Sequence, residues 1–132
     1  MFTFKFQSVL DARKTKEEQV LAEFIEQTRA LGREEEKLVG MGLEKERLLQ
    51  CLREEKDRLL RPGDVELRLA YVQTWNRKIA LQRSLIQKLS QDLEHKRRNL
   101  MDVVKDRKIL ENLKERHLKE HRIQQSWLER IT

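Results

Sequence analysis

The chain has 132 residues and a net charge of +6 at pH 7, with 39% charged and 38% apolar residues. Leucine, glutamate, lysine and arginine recurring at helical spacing are typical of a coiled coil, and they exclude a layered globular core. No apolar run approaches the roughly 20 residues that a membrane-spanning helix needs. We therefore expect an all-α protein whose long helices bury one seam and leave most side chains in water.

The N-terminal sequence and the cysteine content indicate the cellular compartment of the protein. The first residues lack the basic start, apolar block and small-residue cleavage site of a secretory signal peptide. The single cysteine, Cys51, cannot form an internal disulfide. A chain of this kind fits a reducing cytoplasm best.

The positive charge is concentrated in the second half of the chain. Residues 1–61 carry 13 basic and 13 acidic side chains, whereas residues 62–132 carry 16 basic and 10 acidic ones. Most of the excess lies between Lys96 and Arg122. This asymmetry predicts an acidic partner along the second half.

The first eight residues differ from the rest because Phe2, Phe4 and Phe6 alternate with polar residues. This alternation predicts an extended segment over residues 1–8, with the three rings on one face covering the end of a coiled coil. Ser8, followed three residues later by Asp11, resembles a capping box, so a first helix is predicted over residues 9–61.

The segment from Arg61 to Asp64 is the predicted hinge of a single hairpin domain, residues 1–132. It contains the only proline in the chain. Pro62 lacks the amide that a continuing helix needs, Gly63 tolerates turn conformations, and Asp64 suits a helix N-cap. We predict a turn at residues 62–63, a second helix over residues 64–130 and an antiparallel coiled-coil hairpin. An alternative turn lies at Gly40 to Gly42.

Alternating steps of four and three residues predict the facing positions of each helix. In the first helix they are Leu10, Lys14, Glu17, Leu21, Phe24, Thr28, Leu31, Glu35, Leu38, Gly42, Lys45, Leu49, Leu52, Lys56 and Leu59. In the second they are Val72, Trp75, Ile79, Gln82, Ile86, Leu89, Leu93, Lys96, Leu100, Val103, Arg107, Leu110, Lys114, His117, His121, Gln124 and Leu128.

A fold about residues 62 and 63 also predicts the register of the two helices. Facing residues should have numbers that sum to roughly 125, which matches apolar layers along most of the length. Leu38 should then face Ile86. The same register brings Glu17 near Arg107, an opposite-charge pair that fixes alignment more than it stabilises the fold.

The sequence carries no pattern typical of an enzyme. It has no glycine-rich phosphate loop and no nucleophile elbow, so neither a cofactor nor a small-molecule substrate is expected. His117 and His121 share a helical face, but a zinc site needs three or four ligands and His95 is several turns away. We therefore expect no metal site.

Two groups of residues are candidates for binding a partner. The basic run Lys96, Arg97 and Arg98 is suited to an acidic surface. Nucleic acid is the alternative ligand, but interleaved acidic residues and the absence of aromatics from that stretch argue against it. The other group lies near the predicted hinge at steps of four, three and four, and it consists of Tyr71, Trp75, Lys78 and Gln82. Trp75 either packs on Leu49 or belongs to a half-exposed docking stripe.

Two stretches resemble the flagellar export protein family FliJ. Phe4 to Arg13, read as FKFQSVLDAR and followed by Glu17-Glu18, is similar to the N-terminal signature of that family. The stretch Asp106 to Arg116, read as DRKILENLKER, resembles its C-terminal pattern. Length, basic character and the predicted hairpin also match.

The resemblance implies a component of the type III export apparatus, similar in architecture to the γ-subunit stalk of rotary ATP synthases. It implies three partners: the hexameric export ATPase, the export gate in the membrane and the chaperones of late substrates. It also implies a cytoplasmic protein peripherally associated with the inner face of the cell membrane. The gate-binding role of the family falls here on Tyr71, Trp75, Lys78 and Gln82. A stalk protein of a non-flagellar secretion system is the alternative within this architecture.

Overall fold

The computed structural model describes residues 2–55 and 61–132. Helix α1 spans Gln7–Glu55 and helix α2 spans Pro62–Ile131, with 49 and 70 residues. The described residues contain no strand. The predicted all-α class is confirmed, and two long helices account for almost all of the described chain.

The two helices pack against each other in opposite directions. Arg13, near the start of α1, bonds to Asp106 in the second half of α2. Glu34, further along α1, bonds to Gln82, which lies earlier in α2. Partners in α2 therefore move towards its N-terminus as α1 advances, which is the antiparallel hairpin that the sequence predicts.

The predicted hinge residues belong to the start of α2 instead of forming the turn. Helix α2 begins at Pro62, and the carbonyl of Arg61 accepts a hydrogen bond from the amide of Asp64 at 3.0 Å. Proline is favoured at the first helical position, because the amide that it lacks would have no partner there. The predicted turn at residues 62–63 and the N-cap role of Asp64 are therefore wrong.

The described part of the first helix extends to Glu55. Arg61 lies outside both helices, so the predicted helix is wrong at that residue. Residues 56–60 lie outside the described part of the chain, together with the predicted facing positions Lys56 and Leu59. The alternative turn is wrong, because α1 runs without a break from Gly40 to Gly42.

Around Leu38 the partner residue in α2 lies about two helical turns before the predicted one. Leu38 and Ile79 line the same cleft, whereas the prediction paired Leu38 with Ile86. Glu17 nevertheless pairs with Arg107 as predicted.

The described chain forms two compact units, each containing parts of both helices. The first unit combines the residues up to Ile25 with those from Glu94 onwards. Its buried apolar side chains are Phe4, Leu10 and Val103. The second unit spans Glu26–Leu93, and its buried side chains are Ile79 and Gln82. Both cores are narrow, as expected of a single helix–helix seam.

The facing positions of α2 follow the prediction over most of its length. Every predicted position from Val72 to His121 is buried or partly buried. Gln124 and Leu128 are exposed, so the prediction is wrong at these two positions. Both lie beyond His121, which contacts Phe2 of the N-terminal segment.

The predicted facing positions of α1 form two series that each repeat every seven residues, and the series that begins at Leu10 is confirmed. The seven described positions of the series that begins at Leu10 are all at least partly buried, namely Leu10, Glu17, Phe24, Leu31, Leu38, Lys45 and Leu52. In the other series, which begins at Lys14, the residues that face α2 come one position earlier than predicted over most of the helix. The predicted Lys14, Leu21, Thr28, Glu35 and Gly42 are exposed, and the partly buried positions are Arg13, Val20, Gln27, Glu34, Met41 and Leu48.

This shift has a physical reason in the polar side chains of the seam. Arg13 and Glu34 bond across to α2, which requires them to face it. Long charged side chains cover apolar surface with their stems while their heads reach a partner. A count of apolar residues alone does not detect this arrangement. Leu49 is partly buried as well, so the prediction is confirmed there.

The N-terminal segment covers the end of the helix pair, but not as an extended strand. Phe4 is buried, and its ring centroid lies 5.8 Å from that of His117, while Phe2 lies 5.5 Å from His121. Phe6 lies in a turn and is 38% exposed, so the segment is not extended throughout, and the Phe6 ring lies edge-on to that of Phe4 with 5.9 Å between centroids.

The predicted capping box is wrong, because α1 begins at Gln7 and Ser8 already lies within it. The carbonyl of Phe4 instead accepts a hydrogen bond from the amide of Gln7 at 3.2 Å. A backbone group of the aromatic segment therefore satisfies one of the free amides at the helix start.

The burial of Phe4 yields a stability prediction with a matched control. Phe4→Ala should lower the free energy of unfolding by about 3 kcal/mol, because a buried ring is lost and a cavity remains. Phe6→Ala should cost less, about 1 kcal/mol, because its ring is 38% exposed and loses mainly its edge contact with the Phe4 ring. Urea unfolding followed by circular dichroism measures both, and equal losses would contradict the structure.

Candidate partner-binding surface

Three of the four predicted residues near the start of α2 lie at or near the surface. Tyr71 is 56% exposed, and Trp75 is partly buried at a facing position. The ammonium of Lys78 lies 4.8 Å from the centroid of the Trp75 ring, within the range of a cation–π interaction. Trp75 therefore contributes to the helix pair on one side and supports Lys78 on the other.

Gln82 lies between the two helices, whereas the docking prediction requires it at the surface. Its side chain is buried, and its amide donates hydrogen bonds to the carbonyl of Glu34 at 2.9 Å and to the carboxylate of Glu34 at 2.6 Å. Both donors of the amide are thus used within the helix pair. Burial leaves Gln82 outside the exposed surface that the docking prediction requires.

The bond from Gln82 also changes the acidity of Glu34. The amide stabilises the charged carboxylate, and Lys37 adds a bond of 3.2 Å to the other oxygen. Together they lower the pKa of Glu34, with the hydrogen bond from Gln82 as the largest cause. The ionised form of Glu34 is therefore part of the native packing.

Sequence reasoning missed the residues that extend the exposed surface. Leu67, Leu81 and Leu85 are all exposed, and Leu81 is the most exposed at 72%. With Tyr71 and Lys78 they follow steps of four and three along one side of α2, with Thr74 completing the spacing. We name this set the apolar stripe: Leu67, Tyr71, Thr74, Lys78, Leu81 and Leu85. The signal was a second heptad series one position from the facing series.

The basic run is tied to a carboxylate of its own helix. Arg97 donates hydrogen bonds to both oxygens of Glu94, at 2.6 and 2.9 Å, and Arg98 lies 3.5 Å from the same carboxylate. The bond from Arg97 lowers the pKa of Glu94, and the same bond raises that of Arg97. Lys96 is partly buried at a facing position. Arg98 is therefore the most accessible of the three predicted cations.

The predicted pair of Glu17 and Arg107 is confirmed. Both side chains are largely shielded, and the guanidinium of Arg107 also bonds to Glu111 at 2.7 Å. These carboxylates raise the pKa of Arg107, with the hydrogen bond to Glu17 as the largest cause. The group joins α1 to α2 within the first unit and fixes their alignment there.

His117 and His121 each face an aromatic ring, as described for Phe4 and Phe2. Within residues 2–55 and 61–132, no group of three or more histidine, cysteine, aspartate or glutamate side chains is placed to hold a metal ion. Over the same residues, neither helix has an apolar window long enough to cross a bilayer.

A comparison with protein-family models matches residues 1–130 to the flagellar FliJ protein family. The chain belongs to the FliJ family. No curated protein and no solved structure matches it. The resemblance read from the N-terminal and C-terminal stretches is therefore confirmed over nearly the whole chain.

Membership of the FliJ family makes this chain a component of flagellar type III protein export. The family is a structural and chaperone-like component of the apparatus and is not known as an enzyme. Within such a chain, exposed side chains that form no part of the helix seam are the natural places for contacts with the rest of the apparatus. The apolar stripe and the cations around Arg98 are two such places.

The lowered pKa of Glu34 predicts a specific acid sensitivity. Because the folded-state pKa is below the ordinary glutamate value, ionised Glu34 stabilises the fold at neutral pH, and this contribution disappears as the pH falls through the lowered pKa. In Glu34→Gln, stability should therefore fall less steeply than in the wild type between about pH 5 and pH 3. Urea midpoints across this range measure the slope.

The control for this experiment is Glu36→Gln, which removes one negative charge at an exposed position of the same helix. A wild-type slope in Glu34→Gln would contradict the assignment of Glu34 to the native packing.

Proposed function

We propose that this chain binds the hexameric export ATPase as a central stalk and couples it to the export gate. The proposal also includes an escort role for the chaperones of late substrates. The observation that carries it is the family match over residues 1–130. The helical hairpin supports it, because the resemblance to rotary stalk subunits rests on two antiparallel helices.

The two candidate surfaces fit different partners. The apolar stripe offers large exposed side chains, as expected of a docking site for the gate. Arg97 and Arg98 offer positive charge to an acidic surface of the ATPase. Such contacts would hold the chain in the cytoplasm at the inner face of the cell membrane, peripherally associated with the export apparatus. A flagellar role is favoured over a virulence secretion system because the matching family is flagellar.

Nucleic acid is a poorer fit than an acidic protein. The cations of the basic run have an intrahelical partner in Glu94, and acidic residues continue along the helix beyond them. The interleaved carboxylates would repel a continuous phosphate backbone along the helix. Affinity purification of the native chain from its own cytoplasm, followed by detection of the export ATPase, tests the proposal directly; absence of the ATPase would contradict it.

The basic surface predicts a salt-dependent association. Arg97→Gln with Arg98→Gln should weaken ATPase binding and reduce its dependence on ionic strength, because both cations would contribute to the attraction. Lys96 is left unchanged, since it is partly buried and its removal would alter packing. Binding measured at several salt concentrations gives the effect.

The matched control is Lys105→Gln with Lys108→Gln, which removes the same charge from exposed positions of the same helix. An equal loss in both double variants would indicate a general effect of net charge. Unchanged ATPase binding with a lost affinity for nucleic acid would favour the alternative function.

The exposed surface near the start of α2 predicts a separable effect on the gate. Tyr71→Ala should reduce affinity for the gate while leaving the unfolding transition almost unchanged, because Tyr71 is exposed and lies off the seam. Trp75→Ala should reduce both, since Trp75 is partly buried and lies beneath Lys78. Thermal unfolding and gate affinity are measured on the same samples. Normal gate affinity in folded Tyr71→Ala would remove Tyr71 from the site.

A further inference from the structure

The spacing of the apolar stripe defines the kind of structure that can cover it. Leu67 and Leu85, the ends of the stripe, are 18 residues apart in sequence, about 27 Å along the helix. Its members advance by four and three residues in turn, which is the spacing that α1 uses to meet α2. Steps of this kind keep successive side chains on one line that a second helix can follow, whereas an extended strand contacts alternate residues at a different repeat.

The stripe is exposed along its whole length, and it belongs to a single unit. Leu67, Tyr71, Leu81 and Leu85 all lie at the surface of the second unit. Four large apolar side chains aligned on one helix face are more than the scattered exposure that is normal for a soluble protein. The stripe is therefore suited to burial by a partner.

The charge around the stripe indicates the sign of the charge that its partner carries. The segment Glu66 to Lys88 contains five basic side chains and one acidic side chain. Lys78 lies within the stripe, Arg77 is four residues before Leu81, and Lys88 is three residues after Leu85, so all three cations are surface neighbours of its leucines. A helix covering the stripe would have to place carboxylates opposite them.

We infer that the apolar stripe binds a single amphipathic α-helix of a partner protein, with leucine-like residues at heptad spacing and acidic residues beside them. The partner helix lies along α2 and extends the two-helix seam to three helices. A second copy of this chain is a poorer occupant, because its own stripe would bring a second basic segment against the first.

This inference rests on the proposed docking role of the surface, but it does not depend on which partner supplies the helix. The probe is therefore a designed peptide of 28 residues with leucine or isoleucine at positions a and d and glutamate at e and g. The glutamates repel one another between copies of the peptide and keep it monomeric. Binding of the fluorescent peptide to the purified full chain is measured by anisotropy.

Two comparison peptides test the helix and the charge. One has a central proline, which breaks the helix, and the other has lysine in place of every glutamate. We expect the acidic helix to bind at least tenfold more tightly than either comparison peptide. No binding of the acidic helix, or equal binding of the proline peptide, would overturn the inference.

Two double variants of the chain test the location. Leu67→Glu with Leu81→Glu should weaken peptide binding at least tenfold. Val39→Glu with Leu43→Glu adds the same charge at exposed apolar positions of α1 in the same unit, and it should leave binding unchanged. Circular dichroism confirms that both variants retain their helices. An equal loss in the two variants would place the binding elsewhere and overturn the inference.

Sedimentation of the chain without peptide tests whether a second copy of the chain occupies the stripe. Self-association that Leu67→Glu with Leu81→Glu abolishes would assign the stripe to a second copy of the chain and overturn the inference. The proposed docking to the gate is tested separately. If the chain binds the peptide but not the gate, the gate is rejected as the occupant and the stripe remains a helix-binding surface.

Discussion

The rotation of α1 about its own axis is the constraint on which the rest of the structure depends. A seam between two helices has room for one line of side chains, so turning α1 by one residue position exchanges the facing set for a neighbouring set. Polar bonds to α2 fix that rotation in each unit. Arg107 holds Glu17 in the first unit, and Gln82 holds Glu34 in the second. Each bond requires its α1 residue to face α2.

Polar residues in a narrow seam contribute more to alignment than to stability. Removing charge from water opposes the attraction between partners, so a shielded ion pair adds little net free energy. A wrong register, however, would leave the same groups shielded and without partners, which is strongly unfavourable. The seam can therefore be dilute in leucine and still specify one arrangement. The rotation of α2 about its own axis, which its apolar series determines, leaves the leucines of the apolar stripe outside the seam.

The sequence predicted the helices and most of the α2 face, because a dense apolar series from Val72 to Leu110 marks that face without help from polar residues. It did not predict the rotation of α1, since Arg13 and Glu34 look like solvent-exposed residues until their partners are known. The sequence predicts a turn at Pro62 because proline cannot continue a helix, whereas this proline begins α2. The sequence predicted Tyr71 and Lys78 as surface residues from their spacing, whereas it left out Leu81 and Leu85, because the predicted docking series continued through Trp75 and Gln82 of the facing line.

The rotation of α1 is tested most directly by disulfide formation between single cysteines in α1 and α2. Cys51 is replaced by serine, and two double variants are compared: Glu34→Cys with Gln82→Cys, and Glu35→Cys with Gln82→Cys. Disulfides require Cα atoms within about 7 Å and side chains that point towards each other. The pair at 34 and 82 should oxidise readily and the pair at 35 and 82 should not. Faster oxidation of the second pair would show that α1 is rotated towards the other heptad set and would contradict this structure.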